Sequence, residues 1–100
     1  MNKQAEALLP DGWLPLNGAA AAQALKSLNA ELSPGHALFG GTLNAVARRR
    51  DCDDFLFQYN DGSVAEVHLT YSSSQDLRWP QSETYSSLHA WRLLQPKDPL

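Results

Sequence analysis

Asp54-Phe55-Leu56-Phe57-Gln58-Tyr59-Asn60-Asp61-Gly62-Ser63-Val64-Ala65-Glu66-Val67-His68-Leu69-Thr70-Tyr71 decides the fold. Its second half alternates, with Ala65, Val67, Leu69 and Tyr71 on one face and Val64, Glu66, His68 and Thr70 on the other, which is the period of a strand. Its first half puts Phe55, Phe57 and Tyr59 on one face. Asn60-Asp61-Gly62 between the halves is turn chemistry, so the stretch reads as a hairpin. Parity then chooses the register. A two-residue Asp61-Gly62 loop pairs Phe57 with Glu66 and sets both phenylalanines beside Glu66 and His68. A three-residue loop with Gly62 left-handed pairs Phe57 with Ala65 and Phe55 with Val67, gathering the apolar faces. The second register is expected. It also sets Asp54 opposite His68, and Leu56 opposite Glu66, on the far face.

Working outward, Thr42 to Arg49 reads as a strand of weak alternation, giving a three-stranded antiparallel meander over 42–71. Upstream, Ala21, Leu25, Leu28 and Leu32 recur at helical spacing, so a helix is expected over 18–33. Asn17 stands at its N-cap, and Ser33-Pro34-Gly35 stops it. Downstream, residues 72–82 read as a polar loop. Tyr85, Leu88, Trp91 and Leu94 then mark a second helix over 84–94, ended by Pro96. Residues 1–17, with Pro10, Asp11-Gly12 and Pro15, read as an irregular arm tacked to the core by Trp13, Leu14 and Leu16. The expected fold is therefore α+β in α-β-β-β-α order, one domain spanning 1–100, with both helices on the apolar face of the sheet as a two-layer sandwich.

Composition agrees with one folded domain. Of the 100 residues, 43% are hydrophobic and 19% charged, too apolar and too weakly charged for a disordered chain. The lone Cys52 cannot form an internal disulfide. Met1 to Pro10 has no apolar h-region, and the longest apolar run, Ala19 to Ala22, is far short of the ~20 residues that span a bilayer. A cytoplasmic location without membrane attachment is expected. Eight basic against eleven acidic residues give a net charge of −3. The one basic run, Arg48-Arg49-Arg50, abuts Asp51, Asp53 and Asp54, which cancel much of its field, so nucleic acid is not an expected partner.

Three constellations carry candidate chemistry. Arg50-Asp51-Cys52-Asp53-Asp54 offers carboxylates and a thiolate, but it lacks the spaced ligands of a zinc site and the glycine and distal glutamate of a calcium loop. Aspartates between strands are ordinary turn residues, so no metal is assigned. His68 opposite Asp54 is the strongest pair, since a carboxylate that accepts from an imidazole fixes its tautomer as a general base requires. The bland counterpart is a structural cross-strand pair worth about 0.2–1 kcal/mol. His36 and His89 stand alone. Among the aromatics, Trp13 and Trp91 are assigned to the core. Trp79, in a polar loop beside Pro80, and Tyr71 are the residue types that anchor binding surfaces. No phosphate-cradling glycine loop or nucleophile elbow is present, and neither a cofactor nor a catalytic residue is assigned.

The set Cys52-Asp53-Asp54-Phe55-Leu56-Phe57, then Asp61-Gly62, Val67-His68-Leu69-Thr70-Tyr71, Trp79-Pro80, Tyr85 and Trp91 resembles a group of small bacterial proteins of unassigned activity. The likeness covers about Arg48 to Trp91 and rests on the Cys-Asp-Asp and Val-His-Leu-Thr blocks. This chain departs from it in carrying Tyr71 where the group has tryptophan. The resemblance implies a bacterial origin and one intact domain, and it transfers no catalytic residue.

The expected function is thus a small binding or protein-interaction module, with His68, Asp54, Glu66, Trp79 and Tyr71 as its binding residues. The partner is a protein or a second copy of the chain. The face bearing Glu66 and His68 is either open to that partner or covered by the N-terminal arm through Trp13 and Leu16. The rival class is a small enzyme or metal-binding protein centred on Asp54, His68 and Cys52.

Overall fold

In a computed structural model of the protein, which describes residues 9–10, 12–32, 34–36, 38, 40, 42–70 and 80–94, the hairpin is the centre of a larger sheet. In chain order the elements are β1 (Trp13–Pro15), α1 (Gly18–Glu31), β2 (Leu43–Arg49), β3 (Asp54–Tyr59), β4 (Val64–His68), β5 (Gln81–Tyr85) and α2 (Leu88–Leu93). The fold is α+β, and its strands form one five-stranded antiparallel sheet in the order β1-β2-β3-β4-β5.

The central register is the one parity requires, with Phe57 opposite Ala65, Phe55 opposite Val67 and Asp54 opposite His68. Tyr59 N–H donates to Ser63 O at 2.9 Å, leaving residues 60–62 as the loop, and Gly62 takes φ +95°, a conformation that side chains with a Cβ resist. Asp61 Oδ1 accepts from both the N–H and the hydroxyl of Ser63, bonds that hold its carboxyl below the usual range.

The expected three-stranded meander gains a strand at each edge. Trp13–Pro15 of the presumed arm pairs with Arg49–Ala47, and Gln81–Tyr85, divided in the sequence reading between a loop and a helix, pairs with His68–Val64. Tyr85 falls in line with Leu88 and Trp91 at helical spacing. Strand pairing wins at Gln81–Tyr85 because the ladder satisfies its main-chain groups along β4, and helix begins only where Ser87 Oγ caps Ala90 N–H at 3.0 Å. The weak alternation of residues 42–49 also has a cause. The β2–β3 register shifts between Ala45 and Ala47, a bulge that leaves the consecutive residues Val46 and Ala47 on the same face.

The two helices lie on opposite faces, so the protein has three layers rather than the expected two. On one face Phe55, Phe57, Ala65, Val67 and Leu69 pack with Leu16 and with Ala24 and Leu28 of α1. On the other, Leu56, Val64, Val46 and Ala47 pack with Trp13, Leu88 and Trp91. The second core exists because Leu56 and Val64, both completely buried, sit among the polar positions of their strands. Leaving either side chain in water would forfeit roughly 1.5–3 kcal/mol. Trp13 therefore does cover that face, whereas Leu16 joins the α1 side. The rings of Trp13 and Trp91 meet edge to face, centroids 5.1 Å apart.

α1 runs from Gly18 to Glu31 with Asn17 at the N-cap in extended conformation, but the Asn17 side chain makes no capping bond. Two buried polar residues tie loops to this frame. Glu31 Oε1 accepts from Thr70 N–H at 2.8 Å and from its hydroxyl. His36, isolated in the sequence, is buried and doubly bonded: Leu38 N–H donates to Nδ1 at 3.1 Å, so Nε2 carries the proton and donates to Pro80 O at 2.9 Å. No helix among the described residues is long and apolar enough to cross a membrane.

Candidate functional site

Four neighbouring strands bring one row of polar side chains to the end of the face that α2 covers: Arg49 on β2, Asp54 on β3, His68 on β4 and Gln81 on β5. His68 Nδ1 lies 2.6 Å from Asp54 Oδ1. A carboxylate only accepts, so Nδ1 holds the hydrogen and the pair fixes one tautomer. The His68 side chain is 50% exposed and that of Asp54 23%, so the pair sits at the water-accessible rim of the sheet. In high dielectric such a pair contributes little beyond orientation.

One row further along, Glu66 faces Glu83 directly across the β4–β5 ladder. Each carboxylate receives an aromatic donor: Trp91 Nε1 bonds Glu66 Oε1 at 2.8 Å, and Tyr85 Oη bonds Glu83 Oε2 at 3.0 Å. Partial burial, with the bond to Glu83 and the nearby negative charges of Glu83 and Glu66, pushes the Tyr85 phenol up to about 12. Gln81 and Glu83 belong to this corner, although the sequence pattern predicts a loop up to residue 82 and a helix from Thr84. The signal that could have found them is Ser86-Ser87, an N-cap pair placing the helix start after Tyr85.

The arginine run is largely neutralised on site. Arg49 Nε lies 3.3 Å from Asp51 Oδ1, within ion-pair reach although not hydrogen-bonded to it, and Arg48 lies 3.8 Å from Asp53. Their guanidinium groups also stack on aromatic faces, Arg48 4.9 Å from the Phe55 centroid and Arg49 6.0 Å from that of Trp13. Among the described residues, no group of three His, Cys, Asp or Glu side chains is arranged to hold a metal ion.

Cys52 lies in the bend between β2 and β3 and is a free thiol. Burial raises its pKa most; a main-chain hydrogen bond from Asp54 and the charge of Arg49 pull it back, while the Asp54 carboxylate raises it, and the net shift is upward. A nucleophilic cysteine needs the opposite, a thiolate favoured by a neighbouring imidazole or positive charge. Here the carboxylate that accepts from His68 also acts on the thiol.

Of the five binding residues expected from sequence, Asp54 and His68 are joined directly. Glu66 lies in the adjacent row, drawn under Trp91. Tyr71 and Trp79 fall outside the described residues. A separate groove of about 580 Å³ opens where β1 stops and α1 leaves the sheet, between Ala21 and Leu25 of α1 and Asn44 to Val46 of β2. Its described lining contains no titratable side chain, which gives it no acid–base chemistry. No protein-family model matches the chain, and neither a curated protein nor a solved structure matches it.

Proposed function

We propose that the protein is a small binding or interaction module that meets a protein partner at the corner formed by Asp54, His68, Glu66 and the β4–β5 edge. The observation that carries this reading is the contrast within one sheet face. Trp13, Leu88 and Trp91 bury its centre, while His68, Gln81 and Glu83 at its rim are exposed. The imidazole there is held in one orientation by Asp54, which suits recognition by a fixed donor–acceptor pattern. Trp79 is two residues before Gln81 in the chain, and Tyr71 three after His68. The raised thiol of Cys52 speaks against the enzyme alternative.

The test compares immobilised wild-type protein with His68→Ala and Trp79→Ala in capture from cell extract, with sedimentation to read self-association. A partner or dimer that wild type forms, and that either variant loses severalfold while keeping the wild-type melting temperature, is the expected result. If both variants fold and capture or associate as wild type does, the proposal is wrong.

A further inference from the structure

We infer that β5 is a docking strand, and that its partner is an extended polypeptide segment carrying a lysine or arginine opposite Glu83. This rests on the interaction-module reading and names the mode and chemistry of the contact.

The direction of the ladder bonds sets what β5 offers. Tyr59 N–H bonds Ser63 O, and Leu69 N–H bonds Asp53 O. Main-chain groups alternate sides along an antiparallel strand, so Ser63, Ala65, Val67 and Leu69 turn theirs to β3, and Val64, Glu66 and His68 turn theirs to β5. The β4–β5 register is unbroken, and there Tyr85, Glu83 and Gln81 face Val64, Glu66 and His68. The N–H and C=O groups of Ser82 and Thr84 therefore point to the outer edge, where no described strand pairs with them.

The two sheet edges differ in how they resist another strand. β1 is three residues long and ends on Pro15, two devices that blunt an edge. β5 is five residues long, contains no proline and is largely exposed. What it does carry is charge. A second copy added antiparallel with full overlap would set Glu83 against its own equivalent, beside the two Glu66 carboxylates. Like charges directly opposite disfavour pairing. The same Glu66–Glu83 row favours a cation on an incoming strand, and the chain's net charge of −3 adds long-range attraction for a basic segment. Strand addition supplies the main-chain bonds and the acidic row supplies the selectivity.

Amide-resolved NMR with a five-residue peptide, Val-Thr-Lys-Thr-Val blocked at both ends, and its glutamate counterpart tests this. The Ser82 and Thr84 amides are expected to shift and exchange more slowly on peptide addition, with the lysine peptide binding roughly two- to five-fold more tightly. Glu83→Lys is expected to reverse that preference. Thr84→Pro removes an outward N–H that no described ladder uses, and is expected to abolish peptide binding without unfolding the sheet. Three outcomes overturn the inference: Ser82 and Thr84 amides already protected in the free monomer, protection that grows with protein concentration, or equal response to both peptides. If a partner captured by wild type is lost with His68→Ala yet retained by both Thr84→Pro and Glu83→Lys, the module reading stands and the docking strand falls.

Discussion

The completely buried indole of Trp91 donates to Glu66 Oε1 at 2.8 Å, across 25 residues of chain, and so pins the last helix to the middle of β4. Trp91→Phe keeps an aromatic ring but strands the Glu66 acceptor, and a loss of about 1–3 kcal/mol is expected. Trp91→Ala removes the packing too and should cost about 3–5 kcal/mol. Urea unfolding of both variants gives the two figures, and an undiminished stability in Trp91→Phe would mean that the bond to Glu66 contributes nothing.

Glu31 is 5% exposed and receives both the N–H and the hydroxyl of Thr70, closing the end of α1 onto the chain leaving β4. Hydrogen bonds to a charged acceptor contribute about 1.5–3 kcal/mol. Glu31→Ala is expected to lose stability in that range. Thr70→Val, which keeps the N–H and removes only the hydroxyl, should lose less in the same unfolding measurement.

At Gly62, φ is +95° and no heavy atom lies within 4 Å of where a Cβ would stand. The cost of Gly62→Ala is then conformational alone, about 1–2 kcal/mol. Cross-strand contacts between Phe57 and Ala65 should survive in the variant. Loss of that pairing would show that the loop sets the register, not the apolar faces.

Tyr85 titrates high, its phenol pushed from 10.0 to about 12. The folded state holds the phenolic proton more tightly than the unfolded chain does. Its contribution to stability is therefore fully present below pH 10 and is lost as pH rises towards 12. A difference titration of phenolate absorbance between wild type and Tyr85→Phe should place the midpoint near the upper value. Glu83→Gln should bring it down. A midpoint unmoved by Glu83→Gln would refute the influence of Glu83, and one near 10 in the wild type would refute that of burial as well.

Because burial and the Asp54 carboxylate push the Cys52 thiol up, its thiolate fraction falls and alkylation at neutral pH should be slower in the native protein than in the urea-unfolded chain. Asp54→Asn is expected to speed it. A native rate above the unfolded one would restore the thiol as a candidate nucleophile.

The hairpin and the Asp54–His68 pair were legible because strand period and loop length together admit one register that gathers Phe55, Phe57, Ala65 and Val67. The α1 stripe was legible from Leu25 and Leu28 for the same kind of reason. β1 and β5 were not. Trp13-Leu14-Pro15 is too short to show a period, and Gln81-Ser82-Glu83-Thr84 has no apolar face, so each is a strand only through the neighbour it pairs with. The opposed helices escaped notice because Leu56 and Val64 were read as apolar residues on a polar face, when they floor a second core. The bond between Glu66 and Trp91 depended on that second core and could not be seen without it.

The edge-to-face contact of Trp13 with Trp91 also orders events during synthesis. Trp91 leaves the ribosome nearly 80 residues after Trp13. The α1 side of the sheet can assemble once β4 has emerged, but the opposite side has no lid until the closing helix arrives. Until then Trp13, Leu56 and Val64 present a greasy surface to whatever is nearby, which makes that interval the one in which the nascent chain is most exposed to aggregation.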